Sequence, residues 1–149
     1  MITYKNHDIY EDGLIKTKSK FKDVLSRTSW VAMEEAGITF TLDGVERTMI
    51  VGSKWGRVAM HSNLLTIRDD EIIMWKFKDH KWSNVSKNDL YAMHVICNRH
   101  IAESAKWEYI LNKEIDNANT EEELQEIADK ATFTQTIKYA ITNGEVHES

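Results

Sequence analysis

Apolar and polar positions along the chain fall into stretches of two different periods. From Ser19, apolar residues at Phe21, Val24, Leu25, Trp30, Val31 and Ala32 recur as on one helical face, and Gly37 supplies a C′ stop. A helix of about 15 residues is predicted there. Ile38-Thr39-Phe40-Thr41-Leu42 then alternates with period two, Asp43-Gly44 follows, and Val45 to Val51 carries β-branched residues. Two strands joined by a tight primed turn are predicted. A second hairpin is predicted from Glu71 to Phe77 and from Lys81 to Val85 around the polar turn Lys78-Asp79-His80. Residues 48 to 68 otherwise read as strand-like, with Gly52 to Arg57 as a loop.

The longest predicted element starts at Ser86, whose hydroxyl can cap the amide of Asp89 while the Asp89 carboxylate reaches back. Leu90, Met93, Cys97, Ile101, Leu111 and Ile115 follow three- and four-residue spacings with no Gly or Pro between them. The result is a helix of about 30 residues and about 45 Å. Such a rod exceeds what one small core needs, so a partner or a second helix is expected along it. Thr120-Glu121-Glu122-Glu123 forms a capping box for a second helix over about 121–131, which buries Leu124, Ile127 and Ala128. Residues 1–18 read as a polar, irregular arm, and Thr142 to Ser149 as a frayed tail.

The predicted fold is α+β, with antiparallel hairpins packed against a long C-terminal helix and a shorter helix returning along it. Residues 1–36 form an N-terminal arm and helix suited to docking, and residues 37–149 form the α+β domain proper.

Composition narrows the class. With 149 residues, 42% of them apolar, the chain has room for about one globular domain. A single cysteine, Cys97, excludes an intramolecular disulfide and any cysteine-clustered zinc site, and no apolar run approaches the roughly 18 residues of a spanning helix. A soluble, unsecreted protein is expected. The net charge of -5 is uneven: residues 45–82 carry seven Lys/Arg against five Asp/Glu, and residues 113–149 carry three against nine. An acidic balance of this kind disfavours nucleic acid as the main partner.

Four groups of residues could carry chemistry. Cys97 and His100 lie three apart on the long helix, which permits a thiolate–imidazole pair, but Cys97 also sits in the apolar stripe as a packed thiol would. His94 and His100 point about 120° apart and cannot chelate one ion from one helix. Asp69-Asp70-Glu71 lacks the spaced oxygen ligands of a calcium loop and reads as a solvated turn. Lys54-Trp55-Gly56-Arg57, Trp75-Lys76-Phe77-Lys78 and Lys81-Trp82 interleave cations with aromatics, as single-strand binders do. Strand alternation offers a plainer account, with Trp75 and Phe77 on one face, Lys76 and Lys78 on the other, and Trp75 meeting Trp82 across the hairpin. No catalytic residue, metal ligand or cofactor is expected.

From about Glu35 to Ile127 the order of features resembles a domain of unknown biochemical function found in tailed-bacteriophage tail-fibre and tail-assembly proteins. The residues that carry the resemblance are Gly37 to Gly44 followed by Arg47, the Trp-bearing strand Ile72-Ile73-Met74-Trp75, the turn and short strand Asp79 to Val85, the helix opening at Ser86 to Leu90, and Lys113 to Leu124. The family's middle is often alanine-rich and helical, whereas residues 48–68 here read as strand-like. The resemblance implies phage tail association without supplying catalytic residues.

A non-enzymatic tail-associated protein is therefore expected, either a tail-fibre assembly chaperone or a small fibre-associated component acting by protein–protein binding. Its partner would be a tail-fibre or tail protein, or a second copy in a homo-oligomer, with no membrane involved. It would work in the host cytoplasm during assembly and, if retained, in the virion tail. The alternative is a small phage regulator or inhibitor that binds a host protein or single-stranded nucleic acid through the Lys54 to Trp82 surface. Binding residues on either reading are Lys54, Trp55, Arg57, Trp75, Trp82 and Trp107.

Overall fold

The computed structural model describes all 149 residues. In chain order the elements are β1 (Ile2–Tyr4), β2 (His7–Ile9), α1 (Leu14–Ala36), β3 (Ile38–Leu42), β4 (Val45–Met49), α2 (Arg57–Leu64), β5 (Ile72–Phe77), a 3-10 turn (Lys78–His80), β6 (Lys81–Ser86), α3 (Lys87–Asn117), α4 (Glu121–Lys130), β7 (Tyr139–Thr142) and β8 (Glu145–Glu148). The fold is α+β, with antiparallel hairpins and a long helix in the C-terminal half, as the periodicities predict. No helix is long and apolar enough to cross a membrane. Two compact units emerge, each made of two chain segments: residues 1–32 with 103–134, and residues 33–102 with 135–149.

The first unit overturns the expectation of an irregular arm. β1 and β2 pair antiparallel around Lys5 and Asn6, both at positive φ. That conformation is the one a two-residue primed turn requires. Ile2, Tyr4 and Ile9 are buried with Phe21, Val24 and Leu25 of α1, Leu111 and Ile115 of α3, and Leu124, Ile127 and Ala128 of α4. The Tyr4 hydroxyl donates to the carbonyl of Ala131 at 2.9 Å, and its ring meets Phe21 at 5.6 Å. Gln125 acts as an extra strand residue: its Oε1 accepts from the Thr3 amide at 2.9 Å and its Nε2 donates to the Thr3 carbonyl at 2.9 Å. Thr120 caps α4 as expected, its Oγ1 accepting from the Glu123 amide at 3.1 Å. α1 begins at Leu14, earlier than the apolar spacing suggests, and runs for 23 residues.

In the second unit, β3 and β4 form the expected hairpin around Asp43-Gly44, in register from Ile38↔Met49 to Leu42↔Val45. The last residues are not a frayed tail. β7 lies parallel to β3, pairing Phe40 with Tyr139, and turns through Asn143-Gly144 into β8, giving the sheet order β4-β3-β7-β8. Gln135 extends the ladder by one residue, accepting from the Thr39 amide at 2.9 Å and donating to the Thr39 carbonyl at 2.6 Å. β5 and β6 form a separate two-stranded ribbon. Met33, Phe40, Met60, Trp75, Phe77, Leu90, Met93 and Ile96 belong to one buried cluster. Between β4 and β5, where strand-like residues are expected, the chain instead makes the short helix α2, anchored by the buried Met60.

Helix ends follow their sequence signals closely. Ser86 and Asp89 exchange hydrogen bonds at 3.1 Å each, so the short-armed capping box of α3 is formed. Gly37 ends α1 at φ +70, with its amide on the Met33 carbonyl at 3.0 Å. The last turn of α1 carries no basic residue of its own, and Lys78 supplies one from the 3-10 turn by donating to the Glu35 carbonyl at 2.8 Å. A cation at a helix C-terminus complements the carbonyl end of the dipole.

α3 spans 31 residues and serves both cores: Leu90, Ala92, Met93, Ile96 and Cys97 are buried in one, Leu111 and Ile115 in the other. Its length is thus used within the chain. Of the two expected ways to cover so long a rod, a partner or a second helix, the second is present, since Leu111 and Ile115 share a core with Leu124, Ile127 and Ala128 of α4.

Candidate functional site

The aromatic cluster of the second unit is built by a tight turn and a ribbon. After β4 the chain curls so that the Arg57 amide donates to the Val51 carbonyl at 3.1 Å and the Gly56 amide to the Ser53 carbonyl at 3.2 Å. A Cβ on Gly56 would lie 2.2 Å from the Val51 carbonyl oxygen, so only glycine fits this close approach. The curl sets Trp55 edge-on to Trp75, with ring centroids 5.2 Å apart at 86°, and edge-on to Trp82, at 5.6 Å and 80°. Edge-to-face pairs of this kind contribute roughly 0.5–1.5 kcal/mol beyond area burial.

Register decides which of these rings meets solvent. Trp75 pairs with Ser83 and Lys76 with Trp82. Paired residues share a face, so Trp75 and Trp82 lie on opposite faces of the ribbon and do not meet as the sequence reading expects. Trp55 bridges them instead. Trp75 is 1% exposed and belongs to the core, whereas Trp82 is 46% exposed. The outer face also carries Ile72 at 58% and Met74 at 53% exposure, positions of the same parity as Lys76. The face therefore carries three apolar side chains, Ile72, Met74 and Trp82, beside the polar Lys76, Asn84 and Ser86.

Cations border this face. Lys54 Nζ lies 5.4 Å from the Trp55 ring centroid and Lys76 Nζ 5.8 Å from that of Trp82. Arg47 reaches across from β4, its Nε donating to Ser83 Oγ at 2.9 Å and a terminal nitrogen to the Trp82 carbonyl at 3.4 Å. Arg47 thus fixes the strand that presents Trp82. Of the six sequence-predicted binding residues, Lys54, Trp55, Trp75 and Trp82 come together. Arg57 opens α2, and its charge acts on His94 and Cys97. Trp107 lies in the other unit against Phe133, with ring centroids 5.8 Å apart. Ile72, Met74 and Arg47 were not anticipated as part of the surface, although the alternation of β5 already placed Ile72 and Met74 opposite the core face.

The remaining groups take structural roles. Cys97 is buried, and desolvation pushes its thiol up to about 11, so the thiolate is scarce at neutral pH. His100 is buried too, which lowers its pKa by desolvation of the charged form. Asp69 pairs with Lys87 at 2.9 Å, a hydrogen bond that holds its carboxyl below the usual range, and Glu71 lies 3.7 Å from Arg68. The acidic run is a solvated turn. His94 turns toward His61 of α2, with ring centroids 5.5 Å apart, and is held below its ordinary pKa by burial and by the charges of His61 and Arg57. An open hollow of about 330 Å³ on α1 is lined by Lys20, Asp23, Ser26 and Arg27 and holds no nucleophile–base pair.

A scan against protein-family models finds no match for this chain, and searches of curated proteins and of solved structures find no significant match either.

Proposed function

We propose that this chain is a non-enzymatic binding protein that acts by protein–protein contact through the outer face of the β5–β6 ribbon. One observation carries the reading: Trp82, Met74 and Ile72 stand exposed together on a face of the ribbon whose opposite side is core. Exposed Trp and Met with a neighbouring Arg is the composition of interface hot spots, and monomeric surfaces seldom leave such side chains grouped without use. A tail-fibre or tail-assembly protein is the first partner to test, on the strength of the resemblance over residues 35–127.

Co-expression with tail-fibre subunits, followed by purification and light scattering, tests the reading. A defined complex should form, and Trp82→Ala should weaken it by about 30-fold or more, the equivalent of a hot spot of about 2 kcal/mol. A complex indifferent to Trp82→Ala and Met74→Ser would remove the ribbon as the docking face. A strictly monomeric protein that captures no fibre subunit and is absent from purified virions would sink the tail role.

The single-stranded nucleic acid reading keeps one observation in its favour, the cations beside Trp55 and Trp82. Base stacking needs a free ring face, however, and Trp82 already has Lys76 over its ring and Trp55 set edge-on to it. Titration of a labelled oligonucleotide at low and moderate salt separates the two readings, because phosphate neutralisation makes nucleic-acid binding steeply salt-dependent.

A further inference from the structure

We propose that the outer edge of β5 pairs with the β5 edge of a second copy of this chain, as an antiparallel ladder centred on Met74. β5 pairs with β6 alone, so its other edge is open. In an antiparallel ladder every second residue turns its N–H and C=O away from the paired strand. On β6 that outward set is Trp82, Asn84 and Ser86, because the Ser86 amide donates to Asp89 Oδ2 at 3.1 Å and the Trp82 carbonyl accepts from Arg47 at 3.4 Å. Their register partners Lys76, Met74 and Ile72 are therefore the outward set of β5. Ile72 and Met74 thus combine open backbone groups with exposed apolar side chains, the combination that recruits another strand. β8, an outer strand of the four-stranded sheet, carries Glu145, His147 and Glu148 instead, the charged kind of edge that resists pairing.

Charge selects a second copy as the occupant. β5 is preceded by Asp69-Asp70-Glu71 and carries Lys76 near its end. Asp69 and Glu71 already meet Lys87 and Arg68, which leaves Asp70 exposed and unpaired. An in-register parallel copy would set Lys76 against Lys76. An antiparallel copy sets each Lys76 across from the other's Ile72 and diagonal to its Asp70, within reach of a long side chain. The edge is thus complementary to itself about a two-fold axis. Outward residues must meet outward residues, and the register centred on Met74 is the one that uses all three from both copies, giving about six backbone hydrogen bonds. The two ribbons then form one four-stranded sheet, with Trp82, Met74 and Ile72 of both copies on a common face. So short an edge gives a weak, concentration-dependent dimer. This pairing stands apart from the fibre reading: it uses the edge of the ribbon, and Trp82→Ala should leave it intact.

Sedimentation equilibrium of the full chain from about 10 µM to about 1 mM tests the pairing, with a monomer–dimer equilibrium expected inside that range. Met74→Pro removes an outward N–H and leaves the β6 ladder complete, so it should abolish the dimer without unfolding the ribbon. Ile72→Glu faces the second copy's Lys76 and should dimerise at least about tenfold more tightly than Ile72→Lys in low salt, a gap that closes in about 0.5 M NaCl. Unspecific contact between chains of net charge -5 would favour the lysine variant instead. An oxidant should link Met74→Cys copies to each other and leave Asn84→Cys copies unlinked, since only the former lie on the two-fold axis. A chain that stays monomeric at about 1 mM, a dimer that survives Met74→Pro, or an Ile72→Glu variant that dimerises no better than Ile72→Lys overturns the proposal. Should Met74→Pro fail to fold, the two variants of the exposed Ile72 decide. Amides of β5 that become protected from exchange only when a fibre subunit is added would assign the edge to that partner and equally overturn a second copy.

Discussion

Replacing Gly37 by alanine tests how the end of α1 is fitted to β4. Gly37 lies at φ +70, where a non-glycine residue costs roughly 1–2 kcal/mol. A second cost comes from its surroundings: an added Cβ would lie 2.5 Å from the Met49 carbonyl oxygen and 2.8 Å from Thr48 Cγ2. The first neighbour is backbone, fixed by the pairing of Met49 with Ile38, so relief requires the helix end and the strand to separate. Overpacking of this kind costs typically 1–3 kcal/mol, and the sum is about 3 kcal/mol. Gly44→Ala is the control, because Gly44 has φ +83 but nothing within 4 Å of the added Cβ, which leaves only the backbone cost of about 1 kcal/mol. Urea unfolding followed by far-UV circular dichroism and tryptophan fluorescence measures both. Gly37→Ala should lower stability by about 2 kcal/mol more than Gly44→Ala with an unchanged denaturant slope. Equal losses in the two variants would show that the close approach to β4 contributes nothing, and the reasoning would fail.

Gln135→Ala removes the side chain that both accepts from and donates to the Thr39 backbone, and should destabilise by about 1–2 kcal/mol in the same urea assay, and Gln135→Glu, which sets a carboxylate oxygen against the Thr39 and Ile137 carbonyls, should lose at least as much at neutral pH. Cys97, with its thiol at about 11, should react with an aromatic disulfide reagent at neutral pH only after denaturant is added, and prompt labelling of native protein would contradict its burial. His100 has a folded pKa below its unfolded value, so the unfolded chain binds the extra proton first and stability should fall as pH drops through about 6.5. Comparing urea midpoints at pH 7.5 and pH 5 checks this, and His100→Leu should shrink the difference; an undiminished difference would assign it to other groups.

Short-range signals were legible where one residue type answers one local need. Asp43-Gly44 announces its turn because both central residues take positive φ, and Ser86 with Asp89 announces a helix start. Asn143-Gly144, flanked by Tyr139-Ala140-Ile141-Thr142 and Glu145-Val146-His147-Glu148, carries the same kind of signal, yet its place at the chain end invited a frayed reading. What could not be read is its partner: β7 chooses β3 across about a hundred residues, a decision made by the shared core rather than by either strand. Lys5-Asn6 makes a primed turn without glycine, which propensity does not advertise. The candidate surface depends on Trp55 touching two rings of opposite strand parity, and no periodicity encodes the curl at Gly56 that brings it there. His61 was invisible as a neighbour of His94 because α2 itself was not foreseen.

The two compact units are interleaved along the chain, and this has a consequence for how the protein is made. Neither unit is a continuous piece: one needs residues 103–134 to complete a core begun at Ile2, and the other needs residues 135–149 to supply β7. At synthesis rates of roughly 5–20 residues per second, domains usually close one after another from the N-terminus. Here β3 waits for a neighbour encoded about a hundred residues later, with one long edge of its hairpin open until then. Unpaired edges are what aggregation and chaperones both recognise. Closure of this sheet is thus postponed until β7 has been made, and loss of β7 would leave β3 with an open edge.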